Sequence, residues 1–356
     1  GPSFSNPRTG QILSADIMLE DIYVSNRVRS DSIFQPKEPL ITPLNLRGLS
    51  AKHCLASFNI SRGNALGRVS AAVLGNEIAA SRMVQESLYE LTLHEVGHTL
   101  GLNHNMRGSQ LVDNDKINDA SQTKGIISSS VMDYNAVNLA PPGQEQGDFY
   151  TTHPGPYDVW AIQFGYDPDI EGDRRISHLA RSSESSLAFG NDADDMRAVG
   201  RAIDPKINIG DMSSDAIGYA ADRFALLNES LITLRAKMIR PDQSWAELRN
   251  AYQVIAREHQ TQARVVSRYI GGVYIDRTLP SNNTDEPVPY SPVPKARQKE
   301  AMEVLHNSVF GVDAFQVSAD LISHLGMQRR GFDHWGETED PKIHARALQT
   351  QKDVLN

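Results

Sequence analysis

The run His94-Glu95-Val96-Gly97-His98-Thr99-Leu100-Gly101-Leu102-Asn103-His104 constrains this chain more than any other feature. It sets three potential metal ligands and one carboxylate at spacings that suit zinc hydrolysis. On an α-helix with about 3.6 residues per turn, His94 and His98 project from one face, so their imidazoles can share one ion. Glu95 follows the first of them and lies beside the same face, where its carboxylate suits a general base acting on water. Gly101 can turn left-handed, end the helix and let His104 swing back as a third ligand. Three protein ligands leave a fourth position open, which marks a catalytic rather than a structural zinc site. The spacing therefore points to Zn2+ as cofactor and to a zinc-dependent peptidase. A peptidase whose third ligand is a downstream Glu is a competing reading, and the positions of Gly101 and His104 weigh against it.

Two later segments bear on the same reading. Ser130-Val131-Met132-Asp133-Tyr134 resembles the methionine turn that metzincins place beneath their zinc site. The resemblance implies that Met132 forms a polarisable floor under the imidazoles. Tyr134 matches a position where astacin-like and serralysin-like metzincins carry a tyrosine that can approach the metal or the oxyanion. It stands either as a donor to developing negative charge or as a buried phenol bonded to backbone. Gly155-Pro156-Tyr157-Asp158-Val159-Trp160-Ala161-Ile162-Gln163-Phe164-Gly165-Tyr166 looks like the helix after that turn, which implies that Asp158 caps it or buttresses the ligand loop.

With Asn6-Pro7-Arg8-Thr9-Gly10-Gln11-Ile12 and His104-Asn105-Met106-Arg107-Gly108-Ser109, the pattern is similar to a bacterial family of large zinc-dependent metalloproteases, the met-zincins. The likeness is strong to about residue 170 and looser beyond, through Asp204-Pro205, Tyr269-Ile270-Gly271-Gly272 and Pro292-Val293-Pro294. Asn6 departs from the Asp usual there. The family carries a long stretch before this point that supplies early strands of the catalytic sheet. The resemblance thus implies either a fragment or processed portion of a larger polypeptide or a sheet completed by another segment. It also implies a peptide or protein substrate, an endopeptidase activity and a secreted or cell-envelope location. A non-catalytic envelope module that retains a protease-like zinc site is the alternative. A complete His94, Glu95, His98, His104 set argues against it, and the missing strands argue for it.

The expected fold is α+β: a metzincin-like peptidase domain over residues 1–170, with a small mixed sheet and an active-site helix, then a mainly helical region over 171–356. One strand is expected within Gln11 to Val24, a surface loop over 35–48 and a short strand around His53 to Ile60. Helical spacing then runs from Asn76 to Leu100 into the zinc motif. Ile217, Ala220, Phe224, Leu227, Leu231, Leu234 and Met238 form one apolar stripe, ended by Pro241. Trp245, Leu248, Tyr252, Ile255, His259, Val266 and Ile270 form a second, so the two predict an antiparallel helical hairpin. A proline-rich linker spans 279–294, and helices follow over 295–306, 314–327 and 341–355.

Several other residues read as structural. His53 reads as a surface or packing histidine and His259 as a satisfied core histidine. Asp113, Asn114, Asp115 and Asp119 lack the pattern of a calcium cage and read as a solvated loop, as do Asp192, Asp194 and Asp195. The Asn-x-Ser/Thr triplets at Asn59, Asn228 and Asn282 carry no assigned role. Cys54 is the one cysteine, so no intrachain disulfide forms. A formal charge of −9 without a compact basic block argues against a nucleic-acid partner, and no apolar run is long enough for a transmembrane segment.

Overall fold

The computed structural model describes residues 3–9, 12–15, 17, 56–74, 77–195, 202–239, 241, 244–277, 288–326 and 339–355. The expected loop over 35–48, His53, Cys54, Asn282 and most of the strand expected up to Val24 lie outside the described residues. The remainder is mixed, mostly helical, with two small antiparallel sheets.

Strands β1 (Ser3–Ser5) and β2 (Ile12–Ala15) pair with Phe4 opposite Ser14. Both faces of this hairpin meet solvent at Phe4 and Leu13. The strand expected around His53 to Ile60 is instead the start of α1 (Ala56–Leu74). The reason is tertiary: Ala56, Ile60, Leu66, Val69 and Val73 share a helical stripe that enters the main core. Four-residue windows of β-prone side chains carry less weight than that burial. Helix α2 (Glu77–Thr99) packs along α1 and carries the zinc motif at its C-terminal end.

The chain then runs in irregular loops through a one-turn helix Ala120–Thr123 to α3 (Pro156–Tyr166) and α4 (Gly172–Ala180). Within the segment 108–130, Ile117 and Ile127 are fully buried with Met212 and Tyr219 in a small core of their own. Asp113 pairs with Lys116 at the surface, and Asp119 caps the short helix by accepting from the Ser121 N–H.

The two apolar stripes form the expected helical hairpin, α5 (Ala216–Met238) against α6 (Ala246–Ser267). Asp215 starts α5 by accepting from the Gly218 N–H, and the helix stops short of Pro241. Leu226, Leu227 and Leu234 of α5 and Leu248 and Ile255 of α6 join Leu66, Val69, Met83 and Leu91 in one core that draws on both halves of the chain. His259 lies between the rings of Phe224 and Phe315, at 4.8 and 5.1 Å, and burial lowers its pKa to about 4. It is a neutral core histidine.

Strand β3 (Val273–Ile275) pairs with β4 (Tyr290–Pro292), so the last part of the proline-rich linker is a strand. Pro292 ends that strand at a sheet edge, where its missing N–H costs nothing. Helices α7 (Lys295–Leu305) and α8 (Ile343–Leu355) follow the expected spans. The helix expected over 314–327 shrinks to one turn, Ala319–Ile322, because Ser318 caps only there, its hydroxyl accepting from the Leu321 N–H. Among the described residues no helix is long and apolar enough to cross a membrane.

Candidate metal centre

Helix α2 brings His94 and His98 together one turn apart, with ring centroids 4.8 Å from each other. The helix closes on Gly101, whose φ of +93° suits a residue without Cβ. Two hydrogen bonds make the closure: Gly101 N–H donates to the His98 carbonyl and Leu102 N–H to the Gly97 carbonyl. This is a Schellman ending, and it has a chemical consequence. It turns the Leu102 carbonyl back onto His98, which donates from Nδ1 at 3.0 Å. The chain then returns to set the His104 ring 4.8 Å from His98 and 5.3 Å from His94.

Each imidazole is oriented from its far side. His94 Nδ1 donates to the Val131 carbonyl at 2.7 Å, and His104 Nδ1 meets the Asp192 carboxylate at 2.6 Å. Carbonyl and carboxylate oxygens only accept, so Nδ1 carries the proton in all three rings and each Nε2 keeps a lone pair. Yet His98 Nε2 and His104 Nε2 stand 3.1 Å apart, two lone pairs facing each other. One ring nitrogen from each of the three histidines lies within 4.8 Å of the others. The cluster could hold a metal ion, and a shared cation relieves the lone-pair conflict. Three neutral nitrogen donors suit zinc.

Burial and the neighbouring His98 lower the pKa of His94 to about 3, so that ring is neutral across the ordinary pH range. Glu95 is half-buried beside the cluster. The Tyr134 hydroxyl donates to His104 Nε2 at 2.8 Å, and its ring stacks 5.5 Å from that of His94. Met132 is fully buried beneath α2. A Cβ built on Gly97 would lie 2.3 Å from Met132 Sδ, so the methionine occupies the space that any side chain at position 97 would need.

Below this floor, Asp158 holds the turn. Its carboxylate accepts from Ser130 Oγ at 2.6 Å and from the Val131 N–H and Gly155 N–H at 2.9 Å each. It thereby caps α3 and holds Val131, whose carbonyl orients His94, from both sides: directly at the Val131 N–H, and through Ser130 Oγ, which accepts from the Met132 N–H. Asn105 N–H in turn donates to the Met132 carbonyl, tying the chain just after the third histidine to the turn.

A family model described as Met-zincin matches residues 76–356. The chain belongs to the Met-zincin family. No curated protein and no solved structure matches it. Membership in the Met-zincins points to zinc metallopeptidase chemistry in general, and the match begins just before the helix that carries the three histidines.

The Met-zincin cluster also rests on residues that motif reading passed over. Gly97 sits inside the motif, and a glycine in mid-helix, costing about 1 kcal/mol against alanine, was the available signal for a close approach. Val131 and Leu102 contribute only carbonyls, which no side-chain pattern reveals. Asp192 overturns the expectation of a solvated acidic loop: it pairs with His104, while Asp194 pairs with Arg277 and Asp195 with Arg268. Three basic partners far away in sequence turn that run of acids inward.

Proposed function

We propose that this Met-zincin is a zinc-dependent metallopeptidase that hydrolyses peptide bonds within chains, with His94, His98 and His104 as the ligands. The observation that carries the reading is the convergence of one ring nitrogen from each of three histidines, each ring held at Nδ1 by a fixed acceptor. A zinc ion held there would supply a Lewis acid, lowering the pKa of a water towards about 7 and polarising the scissile carbonyl.

The chain's own groups account for the rest. Glu95, next to His94 on the helix, takes the proton of the attacking water and returns it to the leaving amine. The Tyr134 hydroxyl lies 2.8 Å from His104 Nε2; with that nitrogen on the metal the phenol is released to donate to the oxyanion that develops on the carbonyl. Asp158 and Met132 hold the floor, and the Gly101 turn holds the third ligand in place. A peptide or protein substrate and a secreted or envelope location follow from the family resemblance alone.

Glu95→Gln removes the base and leaves the ligands. We expect peptide turnover to fall by at least about 100-fold, while zinc measured by atomic emission stays at one ion per chain. Undiminished turnover sinks the assignment of Glu95, and a wild-type chain that neither binds zinc nor cleaves a peptide library sinks the peptidase.

A further inference from the structure

The three imidazoles are oriented by unlike partners. His94 and His98 bond to backbone carbonyls supplied by neighbouring turns, whereas His104 bonds to a carboxylate 88 residues further along the chain. That carboxylate opens a one-turn helix, Asp192–Asp195, which has no reason of its own to stay in place. Two sets of contacts fix it.

On one side the segment is zipped to the residues just after the third histidine. Asn105 donates from Nδ2 to the Ala188 carbonyl and accepts from the Gly190 N–H, and the Met106 N–H donates to the Gly190 carbonyl. On the other side it is anchored to the helical region. Arg268, one residue past α6, bonds to Asp195 at 2.7 Å and to Asn208 at 2.6 Å. Arg277, two residues past β3, bonds to Asp194 and to the Phe189 carbonyl. Asp195 is almost fully buried, so losing its arginine would leave a buried charge and displace the segment.

We infer that Asp192 is a positioning residue for the third histidine, and that Arg268 and Arg277 of the helical region set its place. The inference rests on the reading of His104 as a zinc ligand. A carboxylate behind a ligating imidazole fixes the ring and its tautomer and makes Nε2 a better donor. The helical region thereby gains a chemical role, completing the metal centre from behind. A ligand loop held only by its own backbone would leave the ring free to rotate about its side-chain torsions.

The test is zinc affinity of the full chain, measured by competition with a chromophoric chelator. Asp192→Asn keeps the size of the side chain and removes its charge, and we expect zinc to bind about 10–100-fold more weakly. Asp192→Glu restores part of that loss. In the cobalt-substituted chain the visible absorption bands of Asp192→Asn shift, which a merely structural change elsewhere would not cause. Arg277→Gln, a half-exposed site and a second route should Asp192→Asn misfold, gives a smaller loss that vanishes when Asp192→Asn is already present. Wild-type zinc affinity and cobalt bands in Asp192→Asn overturn the proposal and leave the peptidase reading intact. Failure of the wild-type chain to bind zinc at all, with His94→Ala no different from it, overturns both.

Discussion

Glu90 lies two turns before His98 on α2, and it is buried without a basic partner at its carboxylate among the described residues. Burial pushes its pKa from 4.5 up to about 8, with the charge on Glu86 adding to the shift and the Asn135 amide opposing it. The sign follows from proton linkage. Below pH 4.5 both folded and unfolded chains hold the proton, and the group costs nothing. As the pH rises towards 8 the unfolded chain releases it while the folded chain keeps it, so stability falls by about 1.36 kcal/mol per pH unit. At pH 7 the accumulated loss is about 3 kcal/mol. Glu90→Gln keeps the shape of the protonated acid and cannot ionise in the unfolded chain. We therefore expect the variant to be about 3 kcal/mol more stable than wild type at pH 7, and equal to it at pH 4. Urea unfolding at both pH values, in chelator so that metal linkage does not intervene, gives the two differences. A variant that is less stable at pH 7, or whose advantage persists unchanged at pH 4, refutes the reasoning.

Two further perturbations probe the floor of the site. In Gly97→Ala the new methyl group meets Met132 Sδ, so an overpacking cost of about 1–3 kcal/mol set against a helix-propensity gain of about 1 kcal/mol gives a net loss of up to about 2 kcal/mol. Pairing it with Met132→Ala in a double-mutant cycle should show strong coupling, and additive unfolding energies would disprove the contact. Asp158→Ala strands three donors, two of them backbone N–H groups, and should destabilise the chain by about 2–4 kcal/mol in urea unfolding while also weakening zinc binding. A loss under about 1 kcal/mol would show that the turn holds itself.

Much of the centre could be read from the chain because it is local. The i and i+4 placement of His94 and His98 is a property of any α-helix, and the Schellman ending at Gly101 needs only the six residues around it. The hairpin of α5 and α6 was legible for the same reason, since two long apolar stripes with helical spacing leave little choice of partner. The misreadings have a common cause. The β-prone residues at the start of α1, the span over 314–327 that yielded a single turn and the acidic run at Asp192 each depend on what packs against them. A short window of sequence holds no information about that.

By itself, then, the sequence determined that His94 and His98 share a face and that the chain can turn back at Gly101 towards His104, because helix periodicity and glycine stereochemistry act over a few residues. Only the tertiary structure decided how the rings of His94 and His104 are turned. The Nδ1 partners of His94 and His104 lie 37 and 88 residues away, as a carbonyl of the methionine turn and a carboxylate anchored by two distant arginines. Imidazole orientation costs little to change locally, so it is set by whichever buried acceptor the folded chain delivers. That is a property of long-range packing, and it determines whether three histidines make a binding site.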